Sequence, residues 1–323
     1  MTGDEPAAGG VAEAEALGPR HARRPHHGAD DDVETAMCRC LRECAAQIAR
    51  NLEVVALTDS PGGPHQLRVG LRRLRVALWL FRDEAGAEGA MLREEARAMA
   101  RLVGPLRDRD VLADEILPRG LAGFADQPAR AALAALLEAD RAQARARIRA
   151  ALAEPPMAGL ARRLELFIAD RGWRAECDGP RAAALARRLA GRVPGLLDRC
   201  LRRVRARGRD PARLSVEQRH ELRKAVKTLR YAIEFLTPAG KGRAREYLRA
   251  VKALQGPVRR AQRCRDRRRA ARAGARWRGW MRRARHGRRA SCWGSCGNAS
   301  GARSPASAST GTASAAPGRS GRR

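Results

Sequence analysis

His65-Gln66-Leu67-Arg68-Val69-Gly70-Leu71-Arg72-Arg73-Leu74-Arg75-Val76-Ala77 aligns without a gap on His220-Glu221-Leu222-Arg223-Lys224-Ala225-Val226-Lys227-Thr228-Leu229-Arg230-Tyr231-Ala232, 155 residues further along the chain. Each stretch opens on His and carries a base three, seven and ten positions later. These are Arg68, Arg72 and Arg75 in the first copy and Arg223, Lys227 and Arg230 in the second. Such spacings fall on one face of an α-helix. Leu67 and Leu74 match Leu222 and Leu229, and Leu78 matches Ile233, so another face is apolar and directed at a core. Each copy therefore reads as an amphipathic helix with a cationic stripe headed by His. Like charges along one face repel and weaken an isolated helix by roughly 0.2–0.5 kcal/mol per pair. A chain that does this twice gains little fold stability from it. An anion between the two helices removes the conflict. For one stripe alone a solvated face is the simpler reading, and either His alone reads as structural; the matched pair favours a ligand.

Outward from these stretches the pattern stays helical. Asp30–Asp32 can cap a helix whose apolar stripe is Val33, Met37, Leu41, Cys44, Ile48, Leu52 and Val55, broken by Ser60-Pro61-Gly62-Gly63-Pro64. The first cationic helix is expected from about 65 to 83, ended by Gly86 and Gly89. Further helices are expected over about 90–103, from Pro105 to a stop at Pro118, and over 128–153, 157–171, 180–207, 215–236 and 241–255. No stretch alternates like a strand, so the fold class is all-α: two helical bundles related by the internal repeat.

Composition narrows the partner. The 323 residues carry a formal net charge of +31, and all but four of the 66 basic residues are Arg. Such a chain suits a polyanion: nucleic acid, an anionic membrane or an inorganic phosphate polymer. Aromatic residues make up only 3 %, too few for reading single strands by base stacking. No apolar run approaches the length of a membrane span, and no secretory signal pattern opens the chain. The eight Cys form neither a disulfide framework nor a metal-binding spacing; Cys292 and Cys296 lie in a Gly/Ser stretch without adjacent His. Reduced thiols in the cytoplasm are expected, with no metal and no cofactor. The charge is uneven: residues 1–32 sum to −4, residues 33–255 to +17 and residues 256–323 to +18. The first 32 residues lack periodicity and are expected to be disordered, as is the Arg/Gly/Ser-rich segment 256–323.

The two His-headed segments resemble the signature helices of the CHAD family, the conserved histidine α-helical domain. Leu102-Val103-Gly104-Pro105-Leu106-Arg107-Asp108-Arg109-Asp110-Val111 resembles that family's Leu-Gly-x-x-Arg-Asp-x-Asp-Val turn. The resemblance covers residues 33–255, with a first repeat over about 33–153 and a second over about 180–255. It implies two four-helix bundles about a pseudo-two-fold axis, with a basic channel that binds inorganic polyphosphate. Its motif match implies His65, Arg68, Arg72, Arg73, Arg75, His220, Arg223, Lys227 and Arg230 as ligands, Lys224 as a flanking one and Arg107 as a further candidate. Asp108 and Asp110 would orient basic side chains. Family members are binding modules, often on polyphosphate granules.

The second repeat departs from the family after Gln255. The family continues there with a Leu-Gly-x-x-Asn-Asp turn, and codons for the following stretch can be chosen so that loss of one base gives Gln-Gly-Arg-Phe-Gly-Ala-Leu-Asn-Asp-Ala-Ala, which supplies it. On that reading residues 256–323 are a frameshift product and the second bundle is incomplete. In frame, Gly256-Pro257-Val258-Arg259 resembles Gly104-Pro105-Leu106-Arg107, a rival reading. The function expected is non-enzymatic polyphosphate binding; the sequence offers no carboxylate cluster, phosphate-cradling loop or activated nucleophile for catalysis. The alternative is non-specific nucleic-acid binding through the Arg-rich helices and tail. A third reading makes His65 or His220 a phospho-acceptor in an enzyme.

Overall fold

Asp32 caps the first helix as expected, its carboxylate accepting from Thr35 N at 2.7 Å. The computed structural model describes residues 17–237 apart from 124, 156, 176 and 210–212. The expected helix 241–255, the segment 256–323 and the first 16 residues lie outside the described residues. The chain divides into Met1–Ala261 and Gln262–Arg323, and every described residue belongs to the former.

The described residues are helical, with one isolated antiparallel bridge and no strand. Helix α1 (Val33–Leu57) buries Val33, Met37, Leu41, Cys44, Ile48 and Val55, the stripe read from sequence; Leu52 is half-buried. Helix α2 (Gly62–Leu80) carries the first cationic stretch. It breaks at Phe81, earlier than expected, and α3 (Arg82–Leu102) follows. Gly86 does interrupt the helical path, but inside α3, with φ of +68°. A side chain there would strain the backbone. Gly89 acts differently: a Cβ on it would lie 2.5 Å from the Ala85 Cβ, so it serves close packing and ends nothing.

Pro105 sits in the first turn of α4 (Gly104–Val111), as expected. A π-helical turn (Leu112–Ile116) and the short α5 (Leu117–Gly120) then continue the path, so Pro118 opens α5 where the sequence suggested a stop. Helix α6 (Gln127–Ala153) is capped by Asp126, and α7 (Leu160–Ala169) leads to a single turn, Gly172–Arg174. The helix expected over 180–207 is two helices, α8 (Gly179–Leu185) and α9 (Leu189–Arg207). The break has a cause in the backbone. Val33 N donates to Arg187 O and Leu189 N donates to Asp31 O, both at 2.9 Å, holding Arg188 extended against Asp32. Helix α10 (Val216–Leu236) carries the second cationic stretch and starts at a Ser215/Gln218 capping box.

Helix α1 packs on α2, α2 on α3, α9 on α10, and α10 on α2. The repeat is borne out at the level of packing. The buried residues of α10 are Leu222, Ala225, Val226, Leu229, Tyr231, Ala232, Ile233, Phe235 and Leu236. Each has a buried counterpart 155 positions earlier: Leu67, Gly70, Leu71, Leu74, Val76, Ala77, Leu78, Leu80 and Phe81. Because every buried position of α10 recurs on α2, the remaining positions of the two copies share an azimuth as well.

Residues 17–32 correct the expectation of a disordered start. They follow an extended path tied down along its length: Asn51 Nδ2 donates to Arg20 O at 2.9 Å, and Gln66 Nε2 donates to His21 Nδ1 at 3.0 Å. Arg39 Nη1 donates to His26 O at 2.8 Å, and the buried His27 donates from Nε2 to Phe235 O at 2.5 Å. This strap joins α1 and α2 to the end of α10. Its polar composition hid that role, because it is held by the backbone carbonyls of Arg20 and His26 and by the His21 and His27 side chains, with no apolar stripe.

Candidate functional site

On α2 the cationic stripe stands away from the core. His65 is open to solvent on one side; Arg68, Arg72 and Arg75 are half-buried. Arg68 is held in place: its Nη1 donates at 3.0 Å to Ala100 O, among the last carbonyls of α3. Gly104 makes room for it, since a Cβ there would lie 2.6 Å from Arg68 Nη1. Partial burial pushes the Arg68 guanidinium below its ordinary range, and the cations Arg72 and Arg107 push the same way against Asp108. The His65 imidazole is likewise lowered, first by partial burial and then by Arg107, with Glu115 opposing. His65, Arg68, Arg72 and Arg107 thus form one neighbourhood. Arg107, on α4, also pairs with Glu115 at 3.1 Å.

The stripe broadens towards α3. Arg75 is lowered by burial and by Arg97, with Arg72 and Arg93 contributing and Glu94 opposing. Arg93 and Arg97 were not singled out from sequence. Their signal was present, because Arg93, Arg97 and Arg101 recur every four residues and so share a helix face.

Arg73 is a correction. It is 1 % exposed, its guanidinium lies over the Phe235 ring at 4.9 Å, and its Nη2 donates to Arg23 O. At about 100° per residue Arg73 lies roughly 120° round α2 from the middle of the stripe, on the side facing α10. It holds α2, α10 and the N-terminal strap together and is closed to a ligand. The second copy has Thr228 at this position.

On α10 the matching stripe is His220, Arg223, Lys227 and Arg230. His220 is exposed and its imidazole is lowered, first by partial burial and then by Lys224, with Arg223 and Lys227 adding. Arg223 and Lys227 are half-buried. Arg230 lies over the Tyr231 ring at 4.6 Å and has Glu234 3.7 Å away. Lys224 pairs with Glu221 at 2.6 Å on an exposed face, a surface pair worth little to stability. Helices α2 and α10 are in contact through their core sides, at Arg73 and Phe235.

The two acids of the first turn have different places. Asp110 is fully buried and accepts from Arg141 Nε at 2.9 Å, so it anchors α6 to α4 and not the stripe. Burial dominates its pKa and raises it. Asp108 is exposed and close enough to Arg68 to favour its charged form. Among the described residues no helix is long and apolar enough to cross a membrane.

Comparison with known proteins agrees with this architecture. The family described as "CHAD domain" matches residues 39–272. A solved structure described as the crystal structure of the CHAD domain from the plant Ricinus communis is similar, with a TM-score of 0.64 and 26 % sequence identity over 82 % of this chain and 90 % of that one. No curated protein matches this chain.

Proposed function

The chain belongs to the CHAD domain family, and from that premise we propose that it binds inorganic polyphosphate, without catalysing its turnover, along the cationic faces of α2 and α10. The observation that carries this reading is the register of the two helices. Every buried position of α10 has a buried counterpart 155 residues earlier, and so the His-headed stripes occupy the same azimuth on both. Arg68 adds to it. The half-buried Arg68 guanidinium has the cations Arg72 and Arg107 against the single acid Asp108, and a phosphate chain supplies about one negative charge per phosphate. Its bond to Ala100 O and its seat beside Gly104 fix the fork before the ligand arrives, which lowers the ordering cost of binding. The cytoplasm, in association with polyphosphate granules, is the location this function implies.

Nucleic-acid binding is the second reading, favoured by the 19 Arg and single acid of residues 256–323. Competition separates the two. Polyphosphate should displace labelled duplex DNA from the full chain at a far lower phosphate concentration than unlabelled DNA does. Equal displacement per phosphate would favour the non-specific clamp.

A further inference from the structure

The cationic stripe of α2 does not stop at Arg75. Fourteen residues after His65 the same face carries Trp79, which is half-buried. Arg203 of α9 lies over its indole, 4.7 Å from the ring centroid. Both partners depart from the internal repeat. The counterpart of Trp79 is Glu234, which lies beside Arg230, and the counterpart of Arg203 is Ile48, which is buried in the core. Two departures at positions that touch each other make a feature of one end of the site only. At that end a cation from the second repeat stands on the stripe of the first.

From this we propose that Arg203 is an additional phosphate-binding residue, held on Trp79 as a platform, that carries a bound phosphate chain from the α2 stripe onto α9. This rests on the polyphosphate reading above. Stacking on an indole engages the flat face of a guanidinium and leaves its N–H edge for phosphate oxygens. Arg203 is exposed, and no carboxylate among the described residues pairs with it. One turn earlier on the same face, Arg199 keeps a buried Nη1 with no hydrogen-bond partner among the described residues. Glu234 at the corresponding place on α10 would repel phosphate, so the pair also gives the site a direction.

The test measures long-chain polyphosphate affinity of the full chain carrying Arg203→Ala, Arg205→Ala or Arg68→Ala, each checked for helical content. Arg205 lies on a different face of α9 and controls for the loss of one charge. Arg203→Ala should weaken binding about tenfold and Arg205→Ala less than about twofold. Trp79→Leu should reproduce the Arg203→Ala loss, and Trp79→Tyr, which keeps a ring beneath the guanidinium, should restore most of the affinity. If Arg68→Ala weakens binding while Arg203→Ala and Arg205→Ala are alike, the inference is overturned and the site reading stands. If Arg68→Ala also has no effect, both fall.

Discussion

The Arg73 guanidinium lies 4.9 Å from the centre of the Phe235 ring, joining the two copied helices through a buried cation–π contact. The same side chain donates to Arg23 O, so one residue holds α2, α10 and the strap. Replacing it by Ala removes the stack and leaves the Arg23 carbonyl unpaired. The expected loss is about 2–3 kcal/mol of stability, read as a lower urea midpoint. Under conditions where the variant stays folded, polyphosphate affinity should change little. A variant as stable as the parent would show that this contact does not hold the repeats together.

Gly104→Ala makes the converse prediction. Its new Cβ would stand 2.6 Å from Arg68 Nη1, the far end of a flexible side chain. Stability should shift by no more than about 0.5 kcal/mol. The guanidinium must leave its seat, however, and polyphosphate binding should weaken by about three- to tenfold, measured by titration calorimetry. Unchanged affinity would mean that the position of Arg68 is immaterial.

Protonation links stability and binding with opposite signs. His27, His65 and His220 all sit below the ordinary His value of 6.5, chiefly through burial. On acidification the unfolded chain takes up protons before the folded one, so unliganded stability is fully present above about pH 6.5 and falls below it. Phosphate beside His65 or His220 favours the imidazolium and raises its pKa in the complex. Polyphosphate affinity should therefore be greater near pH 6 than near pH 8. The pair His65→Gln and His220→Gln should flatten that affinity profile while leaving the part of the stability loss that belongs to His27. A parent affinity that does not vary with pH would make both His bystanders.

The helical class and the repeat were legible because apolar periodicity and a gapless alignment are local properties of the chain. The α2 and α10 stripes were legible for the same reason. What the sequence hid depends on contacts between distant segments. Arg73 has the composition of a ligand, and only packing against Phe235 removes it from the site. The strap of residues 17–32 looks unstructured because it is held by backbone carbonyls and two His side chains, which leave no periodic pattern in the sequence. The break before α9 comes from pairing with Asp31–Val33, a partner more than 150 residues away. Gly89 has the composition of a helix stop and is instead a point of close approach.

If both stripes hold one phosphate polymer, binding depends on α2 and α10 alike. Polyphosphate affinity and stoichiometry are measured for the parent, Arg68→Ala and Arg223→Ala. Each substitution should cost about 1–3 kcal/mol of binding, with one polymer bound per chain throughout. If Arg68→Ala weakens binding and Arg223→Ala leaves both affinity and stoichiometry unchanged, the ligand lies on α2 alone and the two-sided site is contradicted.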